Sequence, residues 1–176
     1  MDWILGRLAC GSLADVDTLP PQVTVVLNLS QYPKNVDMPT TRQWAQYWQQ
    51  LIEGYGKAPL IGGGRAPEVL QLHDCAPAPP VTVMHHEIPD EVFLDGSVWS
   101  GLTHLLSGLL THGNTVLVHC RLGVSRAPAL CAAYLMRCGM APEEALAYVT
   151  ARRAVTAVHA ETWRGVLAWA EGLRHE

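Results

Sequence analysis

The sequence predicts an α/β fold, a central and mostly parallel sheet flanked by helices. Three observations carry this. Short β-branched apolar runs, VTVVLNLS, VTVMHHEI and TVLVHC, alternate with helical stretches, the pattern of strands joined by crossover helices. The 176 residues suit one domain with a substantial core. Apolar residues make up 49% and charged residues 16%, enough apolar surface for the chain to fold. No repeat and no second boundary is visible. Residues 1–176 therefore read as a single domain, with an irregular insertion at about 31–80.

Each element follows from local pattern. Gln22 to Ser30 is a buried strand. Thr40 to Glu53 suits a helix capped by Thr40 or Thr41, with Trp44, Tyr47 and Trp48 at helical spacing for core packing. Gly54 to Pro80, with IGGGRAP and CAPAPP, reads as a long loop. Val81 to Ile88 is a second strand. Ser97 to His112 puts Leu102, Leu105, Leu106, Leu109 and Leu110 on one helical face. Asn114 turns into the strand TVLVHC. Ser125 to Cys138 is a helix that Gly139 can end. Pro142 opens the next helix at its first position, and Ala160 to Leu173 forms the last.

Composition excludes several functions. Net charge is −4, with Lys34 and Lys57 the only lysines and no basic run, so nucleic acid or an anionic membrane surface is not an expected partner. No apolar run approaches the roughly 20 residues needed to span a bilayer. The start, MDWILGRLAC, lacks the basic segment of a signal peptide. Five cysteines at irregular spacing do not form a disulfide framework, and a reducing cytoplasm is the expected compartment. IGGGRAP lacks the Lys-Ser/Thr of a nucleotide-binding loop. His73-Asp74-Cys75 and His85-His86 have no partners at metal-ligand spacing.

One spacing, Cys-x5-Arg, occurs twice: Cys120 to Arg126 and Cys131 to Arg137. It can mark a phosphate-cleaving thiol, but with five cysteines roughly a third of such chains show it by accident. Context separates the two. Cys131 lies among strong helix formers without glycine, so its neighbours' amides are committed to the helix and the two side chains point to nearly opposite sides. It reads as a small core residue. Cys120 instead ends an apolar strand and a helix follows, with Pro128 tolerated in its first turn. Gly123 permits a close turn between them, and Ser125 is the expected N-cap. A loop of this kind gathers several N–H groups and the helix dipole into one concavity, where an anion binds and the thiolate of Cys120 is favoured. Arg126 can grip two phosphate oxygens at once.

With these residues in place, His119-Cys120-x-x-Gly123-x-Ser125-Arg126 resembles the active-site loop of the cysteine-dependent protein tyrosine phosphatases. The continuation Ala127-Pro128 looks most like the dual-specificity branch. LGRLACGSLADVDTLP resembles that branch's N-terminal strand and short helix, and LCAAYLMRCGMAPEEALAYVTARR its helix pair after the loop. The likeness covers nearly the whole chain outside about 31–80. It implies a protein tyrosine phosphatase-like fold and a two-step reaction without metal or cofactor. Cys120 attacks phosphorus to give a phosphocysteine, an acid protonates the leaving oxygen, and water then hydrolyses the intermediate. Amides of Arg121, Leu122, Gly123, Val124, Ser125 and Arg126 would hold the phosphate. Ser125 would help the sulfur leave and His119 would order the loop. The family's acid lies on the loop after the preceding strand, which favours Asp90, with Asp95, Glu87 and Glu91 as alternatives. Pro89 would stiffen the approach to Asp90.

The implied substrate is a phosphorylated protein, on tyrosine and also serine or threonine, or a small phosphoester. A phosphorylated lipid, inositol, nucleotide or RNA 5′ end is the alternative; lipid-directed relatives often carry several basic residues in the loop, and here Arg121 is the only extra one. A phosphate-binding module without turnover is a third reading, whose sign would be loss of Cys120, Arg126 or the acid.

Overall fold

The computed structural model describes residues 1–30, 68–70 and 81–173. The helix expected at Thr40–Glu53 and the His73-Asp74-Cys75 stretch lie outside them.

A six-stranded mixed sheet forms the centre, in the order β1-β2-β6-β3-β5-β4. Its strands are β1 (Asp2–Leu5), β2 (Leu8–Ser12), β3 (Val25–Asn28), β4 (Glu68–Leu70), β5 (Val81–His85) and β6 (Val116–Cys120). The inner strands β2, β6, β3 and β5 run parallel. The edge strands β1 and β4 pair antiparallel with β2 and β5. The parallel centre follows the sequence pattern and the two edges do not. In particular, β4 corrects the reading of Gly54–Pro80 as loop throughout. A three-residue strand carries no periodicity of its own and is selected by the free edge of β5 that it pairs with.

The described residues also form four α-helices: α1 (Gly96–Thr111), α2 (Arg126–Arg137), α3 (Pro142–Arg152) and α4 (Ala160–Leu173). Their apolar faces meet one side of the sheet. Leu8 and Cys10 of β2, Val25 and Leu27 of β3, and Val116, Val118 and Cys120 of β6 face Trp99, Leu102 and Leu106 of α1, Leu130 and Cys131 of α2, Val149 of α3 and Val166 of α4. The alternate residues Ala9, Val26, Val83 and Leu117 turn to the other side. They pack with Val16 of the short 3-10 helix Leu13–Thr18. Both faces are covered, so the inner strands are apolar almost throughout, as parallel strands require.

Helix ends obey their local chemistry. The Asp95 carboxylate accepts from the Ser97 amide at 2.8 Å and caps α1. Gly139, at φ +99, ends α2, and Pro142 starts α3. The parallel register aligns Ser12 with Cys120, and Asn28 with both His119 and His85. The loops leaving β2, β3, β5 and β6 therefore gather at one end of the sheet, beyond the carboxyl ends of parallel strands, where open α/β sheets bind ligands.

Candidate active site

Cys120 is the last residue of β6 and is 2% exposed. Five residues separate it from Arg126, the first residue of α2. The loop's carbonyls are tied to the surrounding framework. That of Arg121 accepts from the Leu13 amide at 3.1 Å, that of Gly123 from the Arg153 Nε at 2.6 Å, and that of Val124 from the Ala157 amide at 2.9 Å. No peptide bond in the described residues is cis. In a trans peptide the N–H points opposite to the carbonyl. With the carbonyls of Arg121, Gly123 and Val124 bonded to the framework, the amides of Leu122, Val124 and Ser125 point the opposite way, the direction an anion-binding nest requires.

Gly123 makes this path possible. It is buried, its φ is +68, and a Cβ there would collide with the Gly11 carbonyl and with Arg153. No other residue fits without moving β2 or Arg153.

Arg126 is 4% exposed, although it is always charged. Its Nη1 donates to the Ile88 carbonyl at 3.0 Å, and its Nη2 meets the Asp90 carboxylate at 2.9 Å. Its Nε is buried with no partner among the described residues. The guanidinium is therefore anchored at one edge and keeps a donor in reserve.

The structure brings Asp90 to Arg126, on a loop leaving β5, with its carboxylate 47% exposed. It puts Asp95 elsewhere: the Ser97 amide that Asp95 caps holds its carboxyl below the usual range. Glu87 and Glu91 are exposed, and Glu91 adopts a left-handed φ of +61 just after Asp90. Leu122 and Arg121 lie exposed on the loop, and Val124 is half-buried.

Ser125 occupies the N-cap position of α2, but its side chain makes no capping bond. An N-cap oxygen accepts from the amide two or three positions on, and the third here is Pro128, which has none. The Ser125 Oγ instead accepts from the His159 amide at 3.1 Å, so its own hydroxyl proton remains available.

His119 is fully buried, and its Nδ1 lies 3.3 Å from the Cys120 carbonyl. Burial pushes its pKa down to about 4, so the ring is neutral at physiological pH. His85, on β5 with β3 between it and β6, contacts the Ser30 carbonyl at 2.7 Å through Nε2, and His86, just past the strand end, is half-buried. Among the described residues, no three His, Cys, Asp or Glu side chains converge as a metal site.

Arg153, which the sequence reading passed over, is the main addition. Its contact with Gly123 joins residues far apart in sequence, and no local spacing announces it. The backbone contributions of Leu13, Ala157 and His159 are hidden for the same reason.

This architecture is that of the protein tyrosine phosphatase-like α/β domains. The human DUSP28 structure is similar at a TM-score of 0.66 and 18% identity, covering 99% of each chain. Tk-PTP in its active form is similar at 0.64 and 18%, covering 96% of this chain and 95% of that one. PTPMT1 in complex with PI(5)P gives 0.63 and 14%, covering 98% and 95%. At these identities the shared property is the fold. No curated protein matches the chain in sequence. Residues 100–171, which contain the loop and all of α2 and α3, match the family model described as the dual specificity phosphatase catalytic domain. Residues 100–171 thus resemble a dual specificity phosphatase catalytic domain, and the fold around them agrees with that likeness.

Proposed function

We propose that this protein hydrolyses phosphate monoesters through a phosphocysteine on Cys120, with phosphotyrosine, and also phosphoserine or phosphothreonine, of proteins as substrates. One observation carries the reading. A strand-ending cysteine and a buried arginine flank a loop whose carbonyls are bonded outward, and the arginine in turn meets a carboxylate at 2.9 Å.

The chemistry follows from that arrangement. The dianionic phosphoryl group enters the nest of amides and takes the free Nε of Arg126. Its oxygens compete with Asp90 for Nη2, which releases the carboxyl group toward the leaving oxygen. The Cys120 thiolate attacks phosphorus in line, the ester P–O bond breaks, and Asp90, protonated from solvent once it leaves Arg126, gives that proton to the departing oxygen. Charge on the transferring oxygens is met by amides and guanidinium already in place, a contribution of several kcal/mol. In the second step Asp90 accepts a proton from water. The oxygen of that water bonds to phosphorus as the S–P bond breaks, and the Ser125 hydroxyl donates to the departing sulfur. His119 holds the strand end and takes no proton. The four described cysteines are free thiols, which suits work in the reducing cytoplasm. Among the described residues no helix is long and apolar enough to cross a membrane.

The test is turnover of p-nitrophenyl phosphate and of a phosphate ester with a poorer leaving group, without added metal, for the wild type and three variants. Cys120→Ser is expected to be inactive. Asp90→Asn should lose about 10²-fold or more on the poorer leaving group, as general-acid catalysis predicts, and Asp95→Asn should stay near wild type, because asparagine caps a helix as well as aspartate. A folded wild type that binds phosphate without turnover would make the loop a binding module. Equal losses for the two aspartates would remove Asp90 from its role.

A further inference from the structure

Arg153 is a buried cation to which the proposed chemistry gives no task. It follows α3 directly and is 6% exposed. A buried guanidinium is costly unless its donors are matched, and two acceptors match it here. Its Nε donates to the Gly123 carbonyl at 2.6 Å, and its Nη1 pairs with the Asp2 carboxylate on β1. A planar guanidinium fixes two acceptors at a set angle, which a lysine ammonium cannot do. Strand β1 and the middle of the phosphate loop are thereby referenced to one rigid group.

The Gly123 carbonyl differs from its neighbours in the loop. Arg121 and Val124 are held by main-chain amides, which any side-chain substitution leaves in place. Gly123 is held by a side chain. It also sits at φ +68, where a Cβ would collide with Arg153 and the Gly11 carbonyl, so the loop packs closely against both. The peptide plane of the Gly123 carbonyl carries the Val124 N–H, which points opposite to the carbonyl.

We propose that Arg153, seated by Asp2, is a positioning residue of the phosphate loop. By holding the Gly123 carbonyl it aims the Val124 amide, and so sets the affinity of the loop for a bound phosphoryl group. The inference rests on the reading of this loop as a phosphate site, and adds an element of control from outside the loop.

The test uses the full chain, inorganic tungstate as the anion probe in calorimetry, and p-nitrophenyl phosphate for kinetics. Arg153→Lys keeps the charge and loses the fork. Its tungstate affinity is expected to fall about tenfold, the scale of one well-placed hydrogen bond to an anion, with KM rising alongside. Asp2→Asn should fall about threefold. The double variant should be no weaker than Arg153→Lys, because Asp2 acts through Arg153. Arg152→Ala is the control. Arg152 is the exposed neighbour stacked 3.4 Å from the Tyr148 ring centre, and its loss should leave tungstate affinity unchanged. A purely structural role would lower the melting temperature of Arg153→Lys and leave tungstate affinity of the folded protein intact, which overturns the proposal. Full affinity in Arg153→Lys also overturns it, since charge alone would then suffice. A wild type that binds tungstate without turnover removes the catalytic reading while the affinity comparison still decides this one. A wild type that does not bind tungstate removes both.

Discussion

Cys120 to Arg126 and Cys131 to Arg137 share a spacing, and the fold treats them in opposite ways. The first pair brackets a loop at the open end of the sheet. Its cysteine ends a strand, and its arginine is buried with one nitrogen on a carboxylate and another without a partner among the described residues. The second pair lies along α2. Cys131 is fully buried, and its hydrogen bond with Cys10, together with burial, pushes its thiol well up, so that it stays protonated. Arg137 points elsewhere, to the His104 ring at 2.6 Å on the surface. Six positions of helix place two side chains on different sides. Six positions of loop folded around a glycine instead carry the chain from a strand end to a helix start. Backbone path, and not residue count, separates the proposed phosphate site from core packing.

Gly123→Ala should break that difference most severely. Alanine at φ +68 costs about 1–2 kcal/mol from backbone sterics alone. Its methyl would also meet the Gly11 carbonyl and Arg153, so the peptide must turn. Loss of one or more aimed amides predicts a fall in kcat/KM of at least about 10²-fold. Gly139→Ala is the matching control, since Gly139 also has positive φ, at +99, but nothing within 4 Å of a Cβ. It should cost about 1 kcal/mol of stability and leave kcat/KM within twofold. Steady-state kinetics beside thermal melts of the two variants would check this. Equal kinetic losses would mean that the glycine conformation matters only for folding.

Much of this contrast was legible in the sequence because it rests on short-range rules. The apolar run into Cys120, the glycine, and Pro128 just inside a helix mark strand, loop and helix start. Alanine, leucine and methionine around Cys131 mark continuous helix. Asp95 was recognisable as a cap because capping spans two residues. What escaped depends on distant partners. Strands β1 and β4 have four and three residues and exist by pairing at sheet edges. Ser125 stands at the N-cap position that the sequence marks, but its hydroxyl oxygen accepts from the distant His159 amide and makes no capping bond. Arg153 looked like one of two arginines at a helix end, and only the fold brings it to Gly123.

The next effect concerns His119, beside the proposed nucleophile Cys120. Burial lowers its folded-state pKa from 6.5 to about 4. Between those values the unfolded chain binds the proton and the folded chain does not, so stability falls as pH drops. The penalty begins near pH 6.5, is complete below about 4, and totals on the order of 3 kcal/mol. Denaturant unfolding across this window should show the slope, and NMR should show the His119 ring neutral to near pH 4. A ring midpoint near 6.5 would contradict the burial that holds the strand end in place.

The smallest effect tests the inert half of the contrast. Cys131→Ala removes one sulfur from a packed contact with Cys10 and leaves every element of the loop untouched. A small core truncation of this size costs about 1 kcal/mol, read as a shifted denaturation midpoint at unchanged slope. Hydrolysis should stay within twofold of wild type. Cys131→Ser should cost more than Cys131→Ala, because a hydroxyl loses more hydration on burial than a thiol and Cys10 is a weak partner for it. If either substitution lowers kcat as Cys120→Ser does, the second cysteine takes part in the chemistry. A loss of stability alone assigns it to the core that holds α2 against β2 and β6, and with α2 the arginine at its first turn.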